Sequence, residues 1–222
     1  MSKYISDQIV NDNKTLVLLA ASFQGDRISK QVYKIVDEAF SRLSECIKDD
    51  VQVLYIRDIP YLAIDGKYPG GHCFNRHEAM VAIPTWSAKL DTRQLAGAIH
   101  HELHHMARWQ NVGYGTTLGE AILSEGIATY YEALTSGWTP PWAKATVTDQ
   151  VRRTALNDWE CEDYNHAAWF FKGEHGKWVG YSLGYELAHS LYDSKGFDLK
   201  HSVDVGAKDV KANLKKIIQK AN

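Results

Sequence analysis

The sequence contains few cysteines and no spacing of them that suggests a cross-linked or cysteine-ligated fold. The three cysteines are Cys46, Cys73 and Cys161, and no two of them form a Cys-x-x-Cys pair. An odd and widely spaced set argues against a disulfide framework and against a cysteine zinc finger. We therefore expect three free thiols that are buried or partly buried.

Long hydrophobic runs and an excess of one charge are also missing. No stretch approaches the about 20 apolar residues that a membrane-spanning helix requires, and the apolar run over residues 16–21 is shorter than the core of a secretion signal. With 25 basic and 27 acidic residues, the net charge of −2 provides no broad basic surface for nucleic acid. We expect a cytoplasmic protein whose partners include neither a membrane nor a nucleic acid.

What the sequence does contain is typical of an ordinary folded protein. Its 222 residues are 45% hydrophobic and 23% charged, which is enough apolar material for one sizeable core. We predict a single domain over residues 1–222, with room for two lobes of about 1–112 and 113–222 on either side of a cleft.

The order of secondary structure favours an α+β fold. A short buried strand is predicted over residues 16–23, an amphipathic helix over about 28–47, and a strand where Val51, Val53 and Tyr55 alternate. A loop containing Gly66 and the glycines 70–71 precedes a second short strand over residues 80–83. The chain after Asp91 is predicted to be mainly helical, with breaks near residue 113, at 137–141 and at 173–180. The sequence therefore predicts a small N-terminal mixed sheet with a helix, followed by a mainly helical part.

The helix predicted over residues 91–111 has the clearest local signals. Asp91 and Gln94 resemble a capping box, Leu90 and Leu95 fit a hydrophobic staple, and Gly113 can end the helix. The helix contains the run His100-His101-Glu102-Leu103-His104-His105.

Two pairs of histidines on this helix are four residues apart, and the helical period distinguishes them. At about 100° per residue, His101 and His105 lie at the edge of the apolar arc, whereas His100 and His104 point to the opposite side and are expected to be solvated. Two imidazoles one turn apart can both reach a tetrahedral zinc ion that keeps an open position for water. Glu102, beside the first histidine, can accept a proton from that water.

A third metal ligand is expected on the next helix, predicted over residues 118–134. Glu120 forms a capping box with Thr117, so it has a structural role at the start of the helix. Glu125 lies in an apolar stripe, where an unpaired carboxylate would cost several kcal/mol and therefore needs a cation nearby. Glu132 shares the face of Glu125 and could orient a ligand, but we interpret it as a surface glutamate.

Two readings of Glu125 follow from the need for a cation. It can be the third zinc ligand, or it can form a structural salt bridge with Arg108 or Arg93. The small residues Ala121, Gly126 and Ala128 would allow its helix to approach the histidine helix closely.

These residues resemble the gluzincin metallopeptidases, in which a second helix supplies a glutamate ligand after His-Glu-x-x-His. More closely, the stretches 99–105, 118–128 and 180–185 are similar to the predicted zinc-dependent proteases of domain of unknown function 2268, and the similarity extends over about residues 50–195. The resemblance implies a zincin-like fold, a zinc cofactor held by His101, His105 and Glu125, and a peptide or protein substrate. One departure is Ser124, which stands where thermolysin-type enzymes have asparagine.

The resemblance also implies the remaining parts of a peptidase site. Glu102 would be the general base, and a residue from a later helix would stabilise the oxyanion. Tyr181 is the favoured candidate, with Tyr185 and His189 as alternatives. The strand over residues 80–83 would present its edge to an extended substrate.

Two other interpretations of the metal site remain open, together with one further metal site. The protein could be a zinc hydrolase of a non-peptide substrate, or a non-catalytic binding module that keeps a metal. The acidic cluster of Asp158, Glu160, Glu162 and Asp163 is expected to be a solvated face, with a calcium site as the alternative.

Overall fold

The protein is described here from a computed structural model that covers residues 4–21, 30–84, 91–193 and 196–220. The chain divides into two compact units. One comprises Met1–Asn111 with Glu132–Trp138, and the other comprises Val112–Tyr131 with Thr139–Asn222. The first contains a five-stranded mixed sheet and the second is helical, so the predicted α+β class is confirmed.

The sheet of the first unit has the order β1-β2-β3-β5-β4. Its strands are β1 (Tyr4–Asn11), β2 (Lys14–Ala21), β3 (Val51–Asp58), β4 (Gly70–Asn75) and β5 (Glu78–Ile83). The three central strands are parallel, and β1 and β4 pair antiparallel at the two edges. Asp12 and Asn13 both have positive φ, which is the backbone of the two-residue turn that matches the twist of a hairpin.

One face of the sheet carries directly paired, buried residues. Leu54 of β3 pairs with Ala79 of β5, which in turn pairs with Cys73 of β4. Two helices belong to this unit, α1 (Lys30–Leu43) and α2 (Thr92–Asn111). Helix α2 packs against α1 and against β4 and β5, so its residues meet the part of the sheet that ends at the β4 edge.

The predicted strands and helices of this unit are correct in type but not in every boundary. Helix α1 ends at Leu43 and continues as one 3-10 turn over Ser44–Cys46, and the predicted residues before 30 lie outside the described part of the chain. In β3 the buried positions are Gln52, Leu54 and Ile56, so the alternation predicted from Val51 has the opposite phase. Strands β1 and β4 were not predicted; β4 begins at the two glycines that favoured a loop.

The second unit is built from helices around one apolar core. Its helices are α3 (Leu118–Ser136, whose last turn belongs to the first unit), α4 (Asp149–Asn157), α5 (His166–Phe170), α6 (Val179–Tyr192), α7 (Leu199–Asp204) and α8 (Ala207–Lys220). The core contains Trp159, Phe170, Leu183 and Leu214, all essentially inaccessible to solvent. Helices α3 and α6 meet backbone to backbone, because a β carbon on Gly126 would overlap with Gly184. The helix breaks predicted near residue 113, at 137–141 and at 173–180 are all present.

The structure gives the state of the three cysteines and the character of the helices. Cys46 and Cys73 are buried free thiols and Cys161 is a partly buried one, as predicted. Within the described ranges, none of the helices has the length and apolar character needed to cross a membrane.

Candidate metal centre

Helix α2 carries the histidine run and is fixed at both ends. The Asp91 carboxylate accepts a hydrogen bond from the backbone N–H of Arg93 at 2.9 Å and pairs with the Arg93 guanidinium. The staple predicted between Leu90 and Leu95 lies outside the described residues, because Leu90 is not among them. At the other end, Gly113 has a φ of +85°, so it ends the helix as predicted.

His101 and His105 point their ring nitrogens at each other from successive turns of α2. The two Nε2 atoms lie 3.0 Å apart, and both side chains are buried. A tetrahedral zinc ion with Zn–N bonds of about 2.0–2.1 Å would place two ligand nitrogens about 3.3 Å from each other. The spacing of these nitrogens therefore fits a pair of zinc ligands closely.

Glu125 is the third member of a group of side chains that could hold a metal ion. The ligand atoms of His101, His105 and Glu125 all lie within 4.8 Å of one another. Among the histidines, cysteines and carboxylates of the described ranges, these three residues form the group that could hold a metal ion. Two imidazoles and one carboxylate form the donor set of many catalytic zinc sites. The alternative cation Arg93 is paired with Asp91.

The helix that supplies Glu125 begins with the capping box predicted for it. Thr117 Oγ1 accepts the backbone N–H of Glu120 at 3.3 Å, and the Glu120 carboxylate accepts the backbone N–H of Thr117 at 2.9 Å. Glu120 thus has the structural role expected of it.

Glu132 is a buried partner of His101, and its interpretation as a surface glutamate is wrong. It is only 1% exposed, and its Oε2 lies 3.1 Å from His101 Nδ1. A carboxylate accepts hydrogen bonds and cannot donate them, so it favours the proton on Nδ1 and leaves the lone pair of the His101 ring on Nε2, the atom that faces His105. The signal in the sequence was its position seven residues after Glu125, on the same face of the helix.

His100 and His104 are buried, which contradicts the expectation that they are solvated. Helix α1 covers this side of α2, and its residues Arg42 and Glu38 act electrostatically on His100. Burial lowers the pKa of His100 to about 4, and its Nδ1 lies 2.8 Å from the Ala96 carbonyl oxygen. Burial also holds the pKa of His104 well below its ordinary value. Both histidines are therefore neutral structural residues at pH 7.

Glu102 lies on α2 between the two histidines of the group and is 5% exposed. Its side chain rests against Gly71 of β4, where a β carbon on the glycine would overlap with Glu102 Cγ, Cδ and Oε1. The predicted base is thus held between its own helix and the edge strand of the sheet.

The substrate strand expected over residues 80–83 cannot have the role predicted for it. These residues are the end of β5, which pairs with β3 on one side and with β4 on the other, so its backbone groups are already used. The edge of the sheet next to α2 is formed by β4 instead.

The candidates for an oxyanion donor lie on α6. Tyr181 is partly buried, and its ring meets the ring of Phe170 edge-on at 5.2 Å. Burial raises the pKa of Tyr185, and a hydrogen bond with the Thr139 side chain acts in the opposite direction. His189 is exposed, with Nε2 3.5 Å from an Asp193 oxygen. The choice of Tyr181 stays a prediction.

Two residues near Glu125 were not singled out from the sequence. Burial raises the pKa of Tyr164, and the Glu125 carboxylate adds to this effect. Burial lowers the pKa of His166, while Glu125 acts in the opposite direction. The segment that carries them has no motif or periodicity that would have identified it.

The acidic cluster is a solvated face, as predicted. Asp158, Glu160, Glu162 and Asp163 are all exposed, and Lys211 binds Glu160 at 2.9 Å.

Two helical histidines and a glutamate form a group that could hold a metal ion, and comparison with known proteins gives the family. A family model described as "Predicted Zn-dependent protease (DUF2268)" matches residues 32–212. The chain belongs to this family of predicted zinc-dependent proteases. None of the curated proteins matches it in sequence.

Several solved metallopeptidases are similar to the chain at low sequence identity. An aminopeptidase N family protein from Idiomarina loihiensis is 10% identical with a TM-score of 0.49, and the match covers 99% of this chain and 42% of that one. An M1 zinc metallopeptidase from Deinococcus radiodurans is 13% identical with a TM-score of 0.48, covering 98% of this chain and 51% of that one. The chain thus spans about half the length of these proteins.

Proposed function

We propose that the protein is a zinc-dependent peptidase in which His101, His105 and Glu125 hold the metal and Glu102 is the general base. The observation that carries this proposal is the convergence of three ligand atoms within 4.8 Å, with Glu102 on the same helix as both histidines. A purely structural zinc site has no need of a carboxylate beside its first ligand. Membership of the zinc-dependent protease family supports the same reaction class.

Each residue of the site has a chemical role in this proposal. When bound, zinc would lower the pKa of a coordinated water to about 7 and polarise the scissile carbonyl. Glu102 would accept a proton as the water attacks and deliver it to the departing amine. Glu132 would keep the His101 ring in one orientation through Nδ1.

Two further groups are proposed for binding the substrate. Tyr181 would donate a hydrogen bond to the oxygen on which negative charge develops. An extended peptide would pair with the outer edge of β4, whose other edge is bonded to β5. This assigns to β4 the role that the sequence suggested for β5.

The proposal is tested by separating metal binding from turnover. Glu102→Gln should retain one zinc per chain and lose hydrolysis of a peptide library, because glutamine cannot accept the proton. Glu125→Gln should lose zinc. The exposed Glu162 gives a matched control, since Glu162→Gln should change neither property. Unchanged turnover in Glu102→Gln would refute the mechanism, and full zinc occupancy in Glu125→Gln would refute the ligand set.

The same experiment distinguishes the alternative functions. Turnover of esters or non-peptide amides, without peptide cleavage, would make the protein a zinc hydrolase of another class. Stoichiometric zinc without turnover of any substrate would make it a binding module.

A further inference from the structure

Gly71 of β4 is a position where an added side chain would collide with the proposed base. It pairs with Val81 of β5, and Glu102 on α2 occupies the volume that a side chain at this position would enter. A β carbon would overlap with Glu102 at Cγ, Cδ and Oε1. The overlap reaches Cγ, so rotating the carboxylate alone would not relieve it.

The backbone gives no other reason for glycine at this position. The φ of Gly71 lies outside the left-handed region, so any residue could adopt it. Glycine inside a strand costs stability and often marks a close approach of other atoms. In this strand the atoms that approach are those of Glu102.

We propose that Gly71 is a positioning residue for the general base. The missing side chain leaves the volume in which the Glu102 carboxylate rests, so strand β4 determines where that carboxylate lies relative to His101 and His105. This inference rests on the role of Glu102 in the proposed function. The same strand that would bind the substrate would thereby also place the base.

Gly71→Ala should damage catalysis without removing the metal. Displacing Glu102 by about 1 Å is expected to lower kcat by about 100-fold, with KM little changed and zinc content equal to that of wild type. Gly206→Ala is the matched control, because its β carbon would meet only Asp209 Oδ2, at 3.2 Å. This control should keep full activity. A folded, zinc-loaded Gly71→Ala enzyme with wild-type kcat would overturn the proposal.

A second measurement does not depend on activity. Gly71→Ala should lower the Tm by about 5 °C in the wild-type background, because the added methyl group would overlap with the buried side chain of Glu102. In a Glu102→Ala background the volume that the Glu102 side chain occupied is empty, so Gly71→Ala should lower the Tm clearly less. Equal losses in the two backgrounds would overturn the contact. If Gly71→Ala alone fails to fold, the double variant should recover folding.

The two measurements also separate this inference from the proposed function. Absence of hydrolysis by the wild-type protein would end the peptidase assignment, while the stability comparison would still decide whether Gly71 positions Glu102.

A different glycine carries a second inference independently. Gly97 lies inside α2, where glycine is about 1 kcal/mol less favourable than alanine. A β carbon there would lie 2.9 Å from Glu132 Cγ and 3.1 Å from its Oε1. We infer that Gly97 positions Glu132, and through it His101, by letting the carboxylate lie against the helix backbone.

The test of Gly97 is zinc affinity. Gly97→Ala should weaken zinc binding about 10-fold, because it displaces the carboxylate that orients His101. In a Glu132→Ala background the same substitution should cause no further loss. Wild-type affinity in Gly97→Ala, or an equal loss in both backgrounds, would overturn this inference.

Discussion

Replacing Glu132 by glutamine keeps the size of a fully buried side chain and removes its charge. The carboxylate lies 3.1 Å from His101 Nδ1 and can only accept a hydrogen bond, so it favours the tautomer with the proton on Nδ1, and Nε2 faces His105. A glutamine oxygen is a weaker acceptor, and its NH₂ group can turn towards the ring instead. We therefore expect His101 to be a poorer zinc ligand in Glu132→Gln, with zinc affinity lower by about 10- to 100-fold.

The size of this effect can be expressed as zinc-dependent stability. Free zinc at about 100 times the wild-type Kd would stabilise the wild-type protein by about 2.7 kcal/mol. At the same zinc concentration, a 10-fold weaker site gives about 1.4 kcal/mol and a 100-fold weaker site about 0.4 kcal/mol. Each kcal/mol corresponds to about 2–4 °C in Tm for a chain of this size, so the difference is measurable.

The assay combines competition with a chromophoric chelator, which gives the Kd, and thermal unfolding with and without zinc. Glu162→Gln serves as the control, because Glu162 is exposed. A Kd for Glu132→Gln within a factor of two of the wild-type value would show that the bond to His101 Nδ1 does not support metal binding.

Three further predictions concern stability. Trp159→Leu should lower the free energy of unfolding by about 3 kcal/mol in chemical denaturation. The reason is that the ring is 1% exposed and its Nε1 donates a hydrogen bond to the Ala207 carbonyl at 3.0 Å. A loss below about 1 kcal/mol would contradict the tight packing of this ring. Gly184→Ala should cost at least about 2 kcal/mol, since its β carbon would overlap with the Ile122 carbonyl, whereas an equal loss in Gly206→Ala would remove that explanation. Arg152→Met should cost about 1 kcal/mol at pH 7, because burial raises the pKa of Glu186 and Arg152, 2.9 Å away, opposes that rise. Without Arg152 the folded pKa of Glu186 lies further above its unfolded value, so the deficit is largest at neutral pH and shrinks as the pH falls through that folded pKa; an equal deficit at pH 7 and pH 4 would contradict this sign.

The sequence was sufficient for features that depend on one helix alone. The capping box of Thr117 and Glu120 and the end of α2 at Gly113 follow from local backbone chemistry, and both are present. The i,i+4 spacing of His101 and His105 likewise fixes the relative placement of the two rings, because successive turns stack residues four apart.

Features that depend on a second element could not be read from the pattern of the first. His100 and His104 were expected to be solvated because they lie opposite the apolar arc of α2, yet both are buried, and α1 packs against α2 with Arg42 and Glu38 close enough to act on His100. Polar residues on one face of a helix predict that this face is exposed to solvent. When a second element packs against that face, the same pattern predicts exposure for residues that are buried. Strand β4 was missed for a related reason, since the glycines that favour a loop in isolation stand in a paired strand.

The His-Glu-x-x-His motif can be recognised in the sequence, whereas the residues proposed to hold it in position cannot. His-Glu-x-x-His is recognisable because its members are chemically distinctive and lie on one helix. The residues that would hold those members in place are a carboxylate on another helix and two glycines, and a glycine signals only a missing volume. Such a signal becomes informative once the fold shows which atoms occupy that volume: the side chains of Glu102 at Gly71 and Glu132 at Gly97. Because both carboxylates are buried, small displacements would be costly to accommodate, and the positions of these glycines should constrain the site as strictly as the ligands do.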